Sequence, residues 1–211
     1  MTTILETDFP DRRLDAYLEA LASSSVAPGG GSAAGLTGAL GCSLGQMVCN
    51  LTLDKGDEAE IRALHDTLGQ MKANLLDLAQ QDEQVFSRYR KATALPRSTE
   101  DEKATRRSAI EDALVVAADV PLRMVGIGLE AIEILRRVGA TGSKYALGDV
   151  STGAYLVQAM TNGCLVNVDA NIELMKAPKN IDHFSAASAS ARDDLTQAMS
   201  DLDTTLASRS Q

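Results

Sequence analysis

Tryptophan is absent from this 211-residue chain, and three Phe and four Tyr are its remaining large aromatic residues. That scarcity excludes the aromatic-rich core of a typical β-sandwich. With 45% apolar residues, the interior falls to Ala, Leu, Gly, Met and Val, a composition suited to closely packed helices. No Lys/Arg-rich block exists, and 20 basic against 29 acidic residues give a net charge of −9. Nucleic acid and anionic membrane surfaces are therefore not expected partners, because both need a concentrated positive face. Only three cysteines occur (Cys42, Cys49, Cys164), with no CxxC pair, which argues against a disulfide framework or a zinc site. Cys42 and Cys49 share one helix face and read as small core filler. The two histidines, His65 and His183, are isolated, so neither a Ser-His-Asp triad nor a histidine metal site is supported. "MTTILETDFPDRRLD" lacks the apolar run of a signal peptide, and the expected compartment is the reducing cytoplasm.

Ala20 to Leu53 form 34 residues without a charge, with a GxxxG at Gly41 and Gly45. The repeated Gly, Ser, Gln, Asn and Thr residues make the segment too polar for a membrane span, and no basic cluster flanks it. It reads instead as a small-residue helix gripped on all sides. Nearly every other segment carries helical periodicity, and no alternating β-branched run appears. Helices are expected over about Arg12–Ala22 and from Ser32, as N-cap, to Leu53; "DKGDE" is a turn. The stripe Ile61, Leu64, Leu68, Met71, Leu75, Leu78, Val85, Tyr89 defines the next helix, and Pro96 closes its trailing loop. Thr99 and Glu102 are spaced as a capping box for a helix that kinks or breaks at Pro121 and resumes to Val138. A glycine-punctuated loop, "GATGSKYALGD", leads to a helix over about Val150–Met175, with Pro178 behind it and a peripheral helix over Phe184–Leu206. The predicted architecture is an all-α bundle forming one domain, residues 1–211, with further burial by self-association.

Within this frame a few residues could carry chemistry. The stripe places its next inward position at residue 82, and an aspartate occupies it. A buried carboxylate must be paired, protonated or exposed to a cleft. A raised pKa there suits a general base or a cation-stabilising group, and a structural salt bridge or a solvated side chain is the competing reading. "VAPGGGSAAG" sets Gly29, Gly30, Gly31 and Ser32 at a helix N-terminus, where unpaired amides attract anions; glycines that merely permit a tight turn explain it equally. Asn167 and Asn171 lie one turn apart on an inward face, and Asn50 interrupts "MVCNLTL"; such amides cross-link helices or bind a polar ligand. Lys144 and Asp149 sit in the glycine loop, where solvation is the usual fate. Gly29, Gly31 and Ala34 also fit GxGxxA with Asp54 downstream, but without βαβ alternation this match is rejected.

Taken in order, "PGGGSAA" with "MVCNLTL", "LLDLAQQDEQVF", "LPRSTEDEKATRR", "AADVPL" and "NVDAN" resemble one family. It comprises the cyclodeaminase part of formimidoyltransferase-cyclodeaminase and the related stand-alone methenyltetrahydrofolate cyclohydrolases. The blocks run from about Ala22 to Lys176. The resemblance implies an all-α homodimer that binds a folate near the glycine loop, with Asp82 at the family's acidic position and Gly29 to Ser32 contacting ligand. Where the family usually reads Asn and then Ser-Asp, this chain has Ser143 and Gly148-Asp149.

The activity so implied is hydrolysis of 5,10-methenyltetrahydrofolate to 10-formyltetrahydrofolate, without metal or cofactor. Asp82 would stabilise the amidinium and take a proton from water, Asp149 would act as a second acid/base or position the pterin, and the loop amides would bind the glutamate tail or an oxyanion. The remaining substrate-contact candidates are Asn50, Lys144, Asn167 and Asn171. Cyclodeamination of 5-formimidoyltetrahydrofolate is the alternative. At 211 residues a stand-alone domain without a fused transferase is expected, and "LPRSTEDEKATRR" looks most like the cyclohydrolases. A non-catalytic bundle that binds folate or a partner is the reading from another class.

Overall fold

The computed structural model describes residues 7–53 and 58–209. The described residues build six α-helices: α1 (Leu14–Leu21), α2 (Gly30–Thr52), α3 (Glu58–Thr93), α4 (Glu100–Thr141), α5 (Leu147–Leu174) and α6 (Pro178–Arg209). Single 3₁₀ turns precede α1 at Phe9–Asp11 and α5 at Lys144–Ala146. Among the described residues no strand occurs, so the expected all-α class holds. The turn expected at "DKGDE" falls on 54–57, outside the described residues, and Glu58 already belongs to α3.

The periodic stripe explains α3. Ile61, Leu64, Leu68, Met71, Leu75, Leu78 and Val85 are all buried, and they join a hydrophobic cluster drawn from α2 through α6. At the start of α4 the capping box forms as its spacing predicts. The Glu102 amide donates to Thr99 Oγ1 at 3.2 Å, and the Thr99 amide donates to Glu102 Oε2 at 3.0 Å. Three features differ from expectation. Helix α2 begins at Gly30 with Gly29 as N-cap, because a side chain from α3 satisfies the Ser32 amide. Helix α4 runs unbroken through Pro121. Proline has no N–H for the Ala117 carbonyl one turn back, and the Asn171 amide of α5 donates to that oxygen instead, at 3.1 Å. Pro178 opens α6 at a position where a missing N–H costs nothing, and α6 is more than peripheral. Phe184, Ala191, Leu195, Met199, Leu202 and Leu206 are buried, on a helix that packs against α4 and α5.

Helix α2 lies between α3, α4 and α5, and its small residues let the neighbours approach closely. A Cβ added at Gly41 would sit 2.5 Å from the Gly153 carbonyl oxygen of α5, and one at Gly153 would sit 3.0 Å from that of Gly41. The helices run antiparallel: Gly30 faces Asn167, Gly38 faces Met160 and Gly41 faces Gly153. Cys42 and Cys49 are buried and free, as their spacing predicts. Among the described residues no helix is long and apolar enough to cross a membrane.

Two glycine substitutions test this packing. Gly41→Ala should lower stability by about 1–3 kcal/mol, because backbone on both sides blocks relief. Gly126→Ala places its Cβ in open space on α4 and should raise stability by about 0.5–1 kcal/mol. Urea unfolding followed by circular dichroism measures both.

Candidate active site

Helices α2, α3 and α5 meet around a cavity of about 260 Å³. Its floor is the N-terminus of α2. Gly29, the N-cap, has no side chain to satisfy the first amides, and Asp82 of α3 supplies the missing acceptor. The Ser32 amide donates to Asp82 Oδ2 at 3.0 Å. The approach is so close that a Cβ on Gly31 would lie 2.3 Å from Asp82 Oδ1. Gly31 therefore permits the contact by lacking a side chain, whereas its backbone dihedral is one that any residue adopts. The amides of Gly30 and Gly31, together with Asp82 Oδ1, have no hydrogen-bond partner among the described residues, and all three residues line the cavity.

Burial pushes the Asp82 carboxyl up to about 6; the Ser32 amide opposes this and the neighbouring Glu83 charge adds to it. Among the described residues no cation lies against Asp82. The adjacent acid has a different fate: Glu83 Oε1 meets Arg12 Nη1 at 2.7 Å and accepts from Ser32 Oγ at 2.9 Å, and Tyr17 adds a 3.0 Å contact to the same hydroxyl. This buried network fixes the segment before α2 and holds Ser32. Ser32 therefore does not contact ligand through its hydroxyl; it acts through its amide.

Across the cavity stand Asn167 and Asn171. Asn167 Nδ2 donates to the Gly163 carbonyl at 2.8 Å. Asn171 Nδ2 donates to Asn167 O at 2.8 Å and to Ala117 O at 3.1 Å. Both N–H groups of Asn171 are thus engaged, Asn167 keeps a second N–H, and both amide oxygens are left as acceptors. Phe86, Tyr89, Val85, Leu114 and Leu174 form the apolar walls. Sequence reading missed Phe86 as a wall and took Tyr89 for core. The available signal was their spacing from Asp82, three to four residues per step along one helix face.

The structure thus brings together Asp82, Gly29, Gly30, Gly31, Asn167 and Asn171, with Ser32 held beneath. It does not bring in Asn50, Lys144 or Asp149. Asn50 and Lys144 are exposed and Asp149 is half-buried, at the far end of the α2–α5 pair. Twenty residues of α2 separate Asn50 from Gly30 and eighteen of α5 separate Asp149 from Asn167, about 27–30 Å at 1.5 Å per residue. One protomer therefore gathers seven of the ten candidates, and Asn50, Lys144 and Asp149 lie apart from them. Among the described residues no three His, Cys, Asp or Glu side chains converge as a metal site would require.

The arrangement offers a carboxylate of raised basicity, two free amides at a helix N-terminus and two amide oxygens around a partly apolar cleft, a set that can hold a cation and accept a proton from water beside it. Comparison with known proteins agrees in kind. The chain is 32% identical over 162 residues to a methenyltetrahydrofolate cyclohydrolase of Methylorubrum extorquens, covering 75% of this chain and 78% of that protein. It is 29% identical to a formimidoyltransferase-cyclodeaminase of Gallus gallus, covering 76% of this chain and 30% of that one, so it spans about a third of that longer relative. The crystal structure of a formiminotetrahydrofolate cyclodeaminase from Thermotoga maritima superposes with a TM-score of 0.84 at 23% identity, covering 94% of this chain and 98% of that chain; this likeness bears on the fold. Residues 13–190 match the family model described as formiminotransferase-cyclodeaminase, and with most of its length so accounted for, the chain belongs to that family.

Proposed function

We propose that the protein hydrolyses 5,10-methenyltetrahydrofolate to 10-formyltetrahydrofolate, the whole chain acting as one cyclohydrolase domain. One observation carries this reading: the Asp82 carboxylate is anchored through Oδ2 while Oδ1 is free in the cleft. The bridging carbon of the substrate is an amidinium and already electrophilic, so a carboxylate without a counter-cation both stabilises the positive charge and accepts a proton. Water adds to that carbon, a C–O bond forms, and one water proton passes to Asp82 Oδ1. In the collapse the C–N5 bond breaks, the Asp82 proton goes to N5, and the hydroxyl of the adduct gives up its proton as the formyl C=O forms on N10. The balance is one substrate cation and one water giving a neutral formyl product and one proton. Acceptor oxygens on Asn167 and Asn171 suit the N–H groups of a pterin, and the Gly30 and Gly31 amides suit an oxyanion. No cofactor enters this scheme.

The relatives named for cyclodeaminase activity favour a second reading, release of ammonia from 5-formimidoyltetrahydrofolate by the same residues. Offering both substrates side by side separates the two. A bundle that only binds would turn over neither.

Self-association belongs to the same proposal. Residues 150–168 of α5 contain no charge, as do all of α2's residues. Their outward side chains include Leu40 (52% exposed), Leu51 (54%), Tyr155 (54%) and Val166 (64%). An uncharged face of two adjacent helices fits a second copy of the chain, and Asp149 could reach the cleft only from such a copy. A cytoplasmic setting accords with the three free, buried cysteines.

Five outcomes check these assignments. Asp82→Asn should reduce the rate of loss of methenyltetrahydrofolate absorbance by roughly 10²–10⁴-fold; equal rates for wild type and variant, both at the uncatalysed level, would overturn the enzyme reading. The reaction needs ionised Asp82, so kcat/KM should fall tenfold per pH unit below about 6 and stay level above it. Folding favours the protonated acid at this position, so the ionised form costs stability as pH rises through about 6. Asp82→Asn should therefore raise Tm above pH 6 and leave it unchanged below pH 4, in contrast to its loss of activity. Gly31→Ala should match the activity loss, whereas Gly29→Ala, whose Cβ meets nothing closer than 3.8 Å, should retain turnover. Tyr155→Glu should yield monomers by light scattering if the uncharged face is the subunit contact.

A further inference from the structure

Two acids stand side by side on α3, and one serine of α2 serves both. The Ser32 amide donates to Asp82 Oδ2 at 3.0 Å, and the Ser32 hydroxyl donates to Glu83 Oε1 at 2.9 Å. Arg12 Nη1 meets the same Glu83 oxygen at 2.7 Å, with 2% of the Arg12 side chain and 4% of the Glu83 side chain exposed. A carboxylate only accepts and a serine hydroxyl has one hydrogen. The 3.0 Å contact between Tyr17 and Ser32 Oγ is therefore a donation from Tyr17. Every hydrogen of the network points toward Glu83, from Tyr17 through Ser32 on one side and from Arg12 on the other.

Stability alone does not account for this pair. Apolar side chains of similar volume often serve as well as a buried ion pair. Arg12 Nη2 is also buried with no hydrogen-bond partner among the described residues, a cost that a purely structural pair would avoid. Its location is more telling, because Glu83 lines the cavity beside Asp82. The titratable groups set around these two acids are Arg12 before α1, Tyr17 on α1 and Cys164 on α5, with Tyr89 of α3 on the cavity wall. Helices α2 and α4 present no charged side chain to the cavity.

We propose that Glu83, held by Arg12, is a positioning residue for the reaction: it draws the Ser32 hydroxyl out of the cleft and leaves Asp82 with the Ser32 amide alone. The proposal rests on the hydrolysis reading above and adds a residue to it. A serine hydroxyl donating to the carboxylate that its own amide already holds would favour the ionised form and make a poorer base. The Glu83 charge acts in the same sense as that withdrawal, adding to the burial that brings Asp82 up to about 6. Both effects keep Asp82 ready to accept a proton near neutral pH. Arg12 is the partner that lets the second charge stay buried.

Two sets of variants separate charge from hydrogen bonding. Glu83→Gln keeps an acceptor oxygen for Ser32 and Arg12 and removes the charge; the acid limb of kcat/KM should move down by about one pH unit. Arg12→Met/Glu83→Leu replaces the pair by apolar side chains of similar size and frees the Ser32 hydroxyl. Its limb should also move down by about one unit, and adding Ser32→Ala to this variant should bring the limb part of the way back. A network that only braced the N-terminal segment would lower kcat or Tm in these variants and leave the limb in place. Carboxyl NMR of protein labelled at the aspartate carboxyl carbons, with Asp82→Asn assigning the signal, reads the same midpoints without turnover. Unmoved Asp82 midpoints in folded variants overturn the proposal and leave the enzyme reading intact. Moved midpoints in a protein that turns over neither folate substrate uphold the hydrogen-bond assignment and sink the hydrolysis reading instead. Should Glu83→Gln fail to fold, the apolar pair with and without Ser32→Ala decides alone.

Discussion

The contact on which the site depends is a carboxylate from one helix resting on the bare N-terminus of another. Helix α2 starts at glycines and brings no capping side chain, so its first amides need an acceptor from elsewhere. Asp82 reaches the Ser32 amide because Gly31 has nothing to obstruct it. Half of the carboxylate is consumed as a structural cap and half is left to the cleft. Its neighbour shows what the alternative would have been. Glu83, one residue on, is tied to a guanidinium and a hydroxyl and spends its charge on holding the N-terminal segment. Of these two consecutive acids, the one that faces a cation is tied into the architecture, and the other keeps an oxygen open to the cleft.

The opposite wall shows a similar economy. Pro121 deprives the Ala117 carbonyl of its intrahelical donor, and Asn171 occupies that oxygen. A residue that ordinarily disrupts a helix instead creates the attachment point that orients a side chain on a neighbouring helix. Asn171 in turn donates to the main-chain carbonyl of Asn167, so both of its N–H groups are engaged and its amide oxygen is left as an acceptor.

Much of this was legible in the order of residues. The heptad-like stripe of α3 put an acid where a core residue belonged, and Asp82 does line the cleft. The Thr99 capping box and the buried cysteines followed from spacing alone. Periodicity reports the face of a helix, however, and says nothing about which end of a long helix lies near which neighbour. Asn50 stands out in sequence by interrupting an apolar run and Asp149 by family likeness, and helices of 23 and 28 residues carry both to the end away from the glycine loop. Ser32 was read as a cap and Pro121 as a break because both rules describe a helix alone. Asp82 replaces the local cap, and Asn171 supplies the donor that Pro121 lacks. The Arg12–Glu83 pair had no sequence signal, since it joins residues 71 apart.

Helices α2 and α5 cross at Gly41 and Gly153 with main chain against main chain, and the same two helices carry the floor and far wall of the cleft. Their separation is thus set by peptide atoms in van der Waals contact, which cannot yield by changing a rotamer. The cleft thus has a fixed gauge between α2 and α5, and any give in its width falls to the sides that α3, α4 and the segment before α2 provide.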